Sequence, residues 1–163
     1  MIHRIAAFWA LLGGGVLIAI MAITSLNIAA YVADYIAETW GGNVYGTTGY
    51  EDFVALAIAC AGMMFLPYCQ AMRGHVVVDV FANLMGQTVQ RLLDKLWLVL
   101  IFCLALFLAY WMTLGMLEVR GDNALTAILG WPVWPSYVPG IASLLLWALV
   151  TSSQIFESTP QDA

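Results

Sequence analysis

Charged side chains are scarce in this sequence, and four long stretches lack them altogether. Charged residues make up 9% of the 163 residues, whereas hydrophobic residues make up 63%. Because a globular domain normally has roughly 25% charged residues, the composition excludes an ordinary soluble fold. The stretches without Asp, Glu, Lys or Arg lie between charged residues: between Arg4 and Asp34, between Asp52 and Arg73, between Lys95 and Glu118, and between Asp122 and Glu157.

Each uncharged stretch is long enough to cross a bilayer as a helix, which takes about 20 apolar residues. Backbone polar groups find no partners in lipid, so an α-helix is expected in each stretch. A transmembrane barrel would instead show alternating segments of about 10 residues, and the sequence shows none. We therefore predict an all-α integral membrane protein that forms one domain over residues 1–163. Its four transmembrane helices should cover residues 8–32, 53–72, 96–117 and 139–156.

The residues that membrane chemistry usually requires are also missing. No Asp, Glu, Lys, Arg or His lies in the middle of a predicted helix, where each charge would cost at least roughly 2.5–3.5 kcal/mol and would be retained for function. The two histidines, His3 and His75, do not suggest a haem site, and the three cysteines lack metal-ligand spacing. We expect no enzyme activity, no cofactor and no metal. The net charge of −5 gives no reason to expect nucleic-acid binding.

The few basic residues predict the orientation, because Lys and Arg collect on the cytoplasmic side. Arg4 precedes the first helix, and the segment between helices two and three carries Arg73, Arg91 and Lys95. Only Arg120 falls on the other side. This distribution predicts that both termini are cytoplasmic. The first apolar run is longer than the 7–15 residues of a signal-peptide core, so we expect it to remain as a transmembrane helix.

The segment between helices two and three has a helical period of polar residues. Asp79, Asn83, Gln87, Gln90 and Asp94 recur every three or four residues, with apolar residues between them. This pattern predicts an amphipathic helix at about residues 77–93 on the cytoplasmic membrane surface. The alternative is an extension of helix three into the cytoplasm.

Helix two is rich in small residues and begins with two acids. Ala55, Ala59 and Gly62 are candidates for packing against another helix, because small side chains let backbones approach closely in lipid. Thr48 and Glu51 fit a capping box, and Asp52 adds charge at the positive end of the helix. The acidic pair is therefore interpreted as a cap, and a docking or ion contact is the alternative.

Three stretches resemble the small membrane subunit of tripartite ATP-independent periplasmic (TRAP) transporters, the DctQ-like family. The first is Gly49-Tyr50-Glu51. The second contains Leu66-Pro67, Gln70, Arg73-Gly74-His75-Val76 and Val78-Asp79. The third is Leu129-Gly130-Trp131-Pro132-Val133-Trp134-Pro135. Their order and spacing are similar to that family, as is the four-helix plan. One departure is visible, since many relatives have two glutamates where this chain has Glu51-Asp52.

The resemblance implies an accessory role in the bacterial inner membrane. It implies that the chain anchors and supports a large multi-helix permease during sodium-coupled uptake of an organic acid. A periplasmic binding protein would deliver that acid. A small subunit of another system, such as a tricarboxylate transporter, fits the same topology. A membrane enzyme or redox subunit is a more distant alternative.

Individual roles stay open at this point. Arg73 and His75 are candidates to contact lipid headgroups or the large subunit, although Arg73 also fits a simple cytoplasmic anchor. Asp79 either caps the surface helix or contacts a partner. The remaining motif candidates for a partner or lipid contact are Glu51, Asp52, Gly74, Trp131 and Pro132.

Overall fold

The structure is a computed structural model that describes residues 2–42, 49–72 and 87–157. Within these ranges the chain forms α1 (Ile2–Glu38), α2 (Tyr50–Met64), α3 (Leu66–Ala71), α4 (Gln87–Gly121) and α5 (Tyr137–Glu157). A short 3-10 turn, Trp134–Ser136, precedes α5. With α2 and α3 counted together, four helices of the described chain are long and apolar enough to cross a membrane. The predicted all-helical, four-span architecture is confirmed.

The first helix is much longer than a bilayer requires. α1 has 37 residues, which corresponds to about 55 Å at the usual rise per residue. The hydrocarbon core is about 30 Å thick. α1 therefore extends well past the predicted 8–32 at both ends, because no glycine or proline in its flanks stops the helix there.

The second span is interrupted near its end. α2 stops at Met64 and α3 starts at Leu66, with Phe65 between them. Pro67 is in the first turn of α3. Proline has no backbone N–H to donate, and its ring collides with the preceding turn of a continuous helix. The break therefore falls where Pro67 disfavours a continuous helix.

The spans run alternately up and down, and their packing defines two ends of the bundle. At the end we call the loop end, α1 and α4 finish while α2 and α5 begin. At the opposite end, Ala6 of α1, Ala71 of α3 and Val150 of α5 form one buried cluster. A larger cluster joins α4 and α5 through Ile101, Ala105, Ala109, Leu144, Trp147 and Ala148. Alanines on α4 let α5 approach closely, as small residues do between membrane helices.

The contact between α1 and α2 depends on one glycine of the Gly13-Gly14-Gly15 run. A Cβ atom added to Gly13 would lie 3.0 Å from Cβ of Met64. At Gly14 and Gly15, nothing in the described part of the chain lies within 4 Å of such an atom. The run therefore contains a packing notch for α2 at Gly13.

The predicted surface helix lies mostly outside the described residues. Its last part, residues 87–93, is described and forms the first two turns of α4. The sequence from Gln87 to Leu96 has no glycine or proline, so nothing separates this part from the membrane span. The third helix is therefore already formed before the predicted residue 96.

Candidate functional site

A short hairpin crosses the loop end between α4 and α5. Its backbone pairs are Thr126 N–H with the carbonyl of Trp131 at 2.8 Å, and Val133 N–H with the carbonyl of Ala124 at 3.1 Å. The hydroxyl of Thr126 also accepts a bond from the N–H of Trp131 at 3.0 Å. Gly130 adopts a φ of 62° in the turn, which glycine allows without strain. Residues 124–133 are therefore an ordered turn with no helix; we call them the loop-end hairpin.

Asp52 ties this hairpin to the start of α2. One carboxylate oxygen of Asp52 accepts hydrogen bonds from the backbone N–H groups of Ile128 and Leu129, at 2.8 and 2.9 Å. Two parallel donors on one carboxylate oxygen form a charge-assisted contact. Asp52 was expected to cap its own helix, but the described residues show no side-chain cap on α2. Its carboxylate instead satisfies backbone donors 76 and 77 residues further along the chain.

Gly49 makes the close approach possible. It is the residue before α2 and has a φ of 88°, a left-handed conformation that side chains disfavour. A Cβ atom at Gly49 would lie 2.8 Å from Cδ2 of Leu129 and 3.1 Å from Cγ2 of Ile128. Gly49 and Asp52 thus contact the same two hairpin residues, which brings the first and third motif stretches together in one junction.

The basic residue nearest this junction stacks on an aromatic ring. The guanidinium carbon of Arg120, at the end of α4, lies 5.1 Å from the ring centre of Trp134. A cation over an indole face is attracted by the ring's electrons. This contact ties the end of α4 to the 3-10 turn that precedes α5.

A polar network lies at the opposite end, between α3 and α5. The side chain of Gln70 donates to the side-chain oxygen of Gln154 at 2.7 Å and accepts from the indole of Trp147 at 3.2 Å. Gln154 also donates to the backbone carbonyl of Gln70 at 2.8 Å. That carbonyl is in the last turn of α3, where helix carbonyls lack partners in the helix. The amide of Gln154 therefore caps α3 from a neighbouring span.

One face of α2 is left uncovered by the rest of the described chain. Ala55, Ile58, Ala59 and Gly62 are all exposed, whereas Ala57 and Ala61 are buried in the bundle. The exposed residues recur every three or four positions and so share one side of the helix. We call them the α2 stripe. Of the small residues of α2, Ala57 and Ala61 therefore pack within the described chain, whereas Ala55, Ala59 and Gly62 do not.

The other predicted residues are distributed as follows. Glu51 is exposed beside Asp52. Trp131 is half exposed, and Pro132 pairs with Leu125 through an isolated β-bridge in the hairpin. Arg73, Gly74, His75 and Asp79 lie outside the described residues.

Sequence reasoning missed the polar contacts that cross the bundle. Besides the Gln70–Gln154 network, the indole of Trp9 donates to the hydroxyl of Ser143 at 2.8 Å and so links α1 to α5. At the loop end, the backbone N–H groups of Ile128 and Leu129 donate to the carboxylate of Asp52. The available signal was the presence of amides and hydroxyls within apolar runs, because such groups seek partners on neighbouring helices in lipid. That signal does not say which partner each group finds.

These features define a multi-pass membrane bundle in which an ordered junction closes one end and an amide network secures the other. The model of the family described as "Tripartite ATP-independent periplasmic transporters, DctQ component" matches residues 43–161, which is most of the chain. The chain belongs to this family, as the motif stretches indicated. No curated protein and no solved structure matches it. The members of this family are components of transporters, and the family is not an enzyme family.

Proposed function

We propose that this chain is the small permease subunit of a TRAP-type secondary transporter in the bacterial inner membrane. In this proposal it anchors and supports a large multi-helix permease subunit, and a periplasmic binding protein delivers the organic acid that the large subunit takes up with sodium. The family match carries the proposal, because it identifies the transporter component directly. The distribution of Lys and Arg supports cytoplasmic termini, which would place the loop end on the periplasmic side.

The chemistry of the spans supports an accessory role. Polar side chains of the described spans, such as Gln70, Gln154 and Ser143, are buried and bonded to other residues of the bundle. Intramembrane charges usually mark the path of ions and charged solutes. Since the sequence has none in the middle of a span, the path for solute and sodium belongs to the large subunit.

The α2 stripe is the surface we assign to the large subunit. Close helix packing in lipid depends on small residues that let backbones approach. Ala55, Ala59 and Gly62 offer such a face, and a Cβ atom at Gly62 would meet nothing within 4 Å in the described part of the chain. The bundle therefore tolerates larger side chains there, whereas a tightly packed partner helix would not.

The test is co-purification of the large subunit with variants of this chain. Ala59→Leu and Gly62→Leu should each lower the amount of large subunit recovered while leaving the bundle folded. Cys103→Leu is the matched control, because Cys103 is a small exposed residue on α4. Recovery that is unchanged by the two stripe variants would reject this surface. If all three variants lose the large subunit, the effect is not specific to the α2 stripe, and the assignment of this surface is rejected.

A further inference from the structure

An open apolar groove lies at the loop end and is not used by the contacts described so far. It has a volume of about 420 Å³, and its wall includes Val16, Phe53, Leu56, Cys60, Trp131 and Pro132. These residues come from α1, from α2 and from the loop-end hairpin. We call it the loop-end groove.

The wall of the groove offers little to water. The thiol of Cys60 donates to the backbone carbonyl of Ser136 at 3.0 Å, and the hydroxyl of Ser136 donates to the carbonyl of Val133 at 2.7 Å. The polar groups of Cys60 and Ser136 are thus engaged within the protein, and the described lining has no charged residue. A bound water needs two to four polar partners. Hydrocarbon therefore fits the groove better than water.

The depth of the groove matches one leaflet of the bilayer. Phe53, Leu56 and Cys60 lie in the first three turns of α2, within about 15 Å of its start. Half the hydrocarbon thickness is also about 15 Å. Trp131, which is half exposed, lies by the hairpin, where an indole suits the membrane interface. A lipid with its headgroup at that interface would extend its chains along the groove.

We propose that the loop-end groove binds an acyl chain of a phospholipid from the leaflet at the loop end. The volume suits a chain, since a cavity of about 150 Å³ already holds benzene. Pro132, Pro135 and Trp131 form part of the wall, and no side chain of the described chain fills the groove. This inference does not depend on which large subunit the protein supports.

Site-specific photocrosslinking after purification tests the proposal. The full chain is expressed with p-benzoylphenylalanine replacing Leu56, purified in mild detergent from native membrane together with whatever it binds, and then illuminated. The control places the same probe at Tyr110, which is exposed on α4, does not line the groove and lies outside the α2 stripe. Loosely held surface lipid is removed by detergent, whereas a chain held in the groove is retained.

The expected result is a phospholipid adduct at position 56, detected by mass spectrometry of the peptide, and no such adduct at position 110. Equal lipid adducts at both positions would show that the probe reacts only with lipid on the protein surface, and would overturn the proposal. An adduct between position 56 and another protein would show that a partner fills the groove. Absence of any adduct at position 56 would also overturn it.

Discussion

The carboxylate of Asp52 lies 2.9 Å from the backbone nitrogen of Leu129, although the two residues are 77 positions apart. Asp52 begins one span, and Leu129 belongs to the hairpin that leads into another. Together with the close approach of Gly49 to Leu129, this contact brings the start of α2 and the hairpin into one junction.

Removing the carboxylate should loosen the hairpin. In Asp52→Ala, the N–H groups of Ile128 and Leu129 lose their acceptor, so we expect their backbone amides to exchange hydrogen faster. Glu51→Ala is the matched control, because Glu51 is the neighbouring acid and is exposed. Hydrogen exchange followed by mass spectrometry checks both variants. If Asp52→Ala leaves exchange in residues 124–133 unchanged, Asp52 does not hold the hairpin.

Gly49 should tolerate no side chain. Gly49→Ala forces a left-handed conformation that costs roughly 1–2 kcal/mol and places a methyl group against Leu129. We expect a lower unfolding midpoint in detergent, measured by tryptophan fluorescence. Gly62→Ala should leave the midpoint unchanged or raise it, since that position is helical and exposed. Equal midpoints for the two variants would contradict the close approach at Gly49.

The amide network should stabilise the opposite end. Gln154→Ala removes the bonds to the side chain and backbone carbonyl of Gln70, which we expect to cost about 1 kcal/mol. Ser152→Ala is the control, because its hydroxyl bonds only locally, to the carbonyl of Leu149. Titration with a denaturing detergent compares them. A Gln154→Ala midpoint that matches the Ser152→Ala midpoint would show that the network adds no stability.

The notch at Gly13 should be sensitive to a single methyl group. Gly13→Ala brings a Cβ atom to 3.0 Å from Cβ of Met64, which cannot move without the backbone of α2. Overpacking of this kind typically costs about 1–3 kcal/mol. Gly14→Ala should be tolerated, because in the described chain its added atom meets nothing within 4 Å. We expect a lower unfolding midpoint for Gly13→Ala than for Gly14→Ala. Equal midpoints for the two variants would contradict the notch at Gly13.

The class of the protein could be predicted from the sequence, and the contacts between its spans could not. A run of about 20 predominantly apolar residues without charges is long enough to cross a bilayer as a helix. In contrast, the acceptor role of Asp52 depends on two backbone N–H groups, which every non-proline residue carries. A carboxylate three residues into a helix looks like a cap in any sequence. Only the fold places the hairpin donors beside it.

The ends of the helices were less predictable than their existence. α4 includes residues 87–95, which contain no glycine or proline that would end the helix. Their polar period fits a surface helix and an extended span equally well. Similarly, Gly13, Gly14 and Gly15 are equivalent in the sequence, whereas only the fold brings α2 against Gly13.

The central claim is that this chain binds a large permease subunit, and purification from native membrane tests it most directly. The tagged full-length chain is isolated in mild detergent, and the proteins that accompany it are identified and quantified by mass spectrometry. We predict a large multi-helix TRAP permease in constant ratio to the chain over successive purification steps. Isolation of the chain without such a permease, under conditions that keep other membrane complexes intact, would contradict the account.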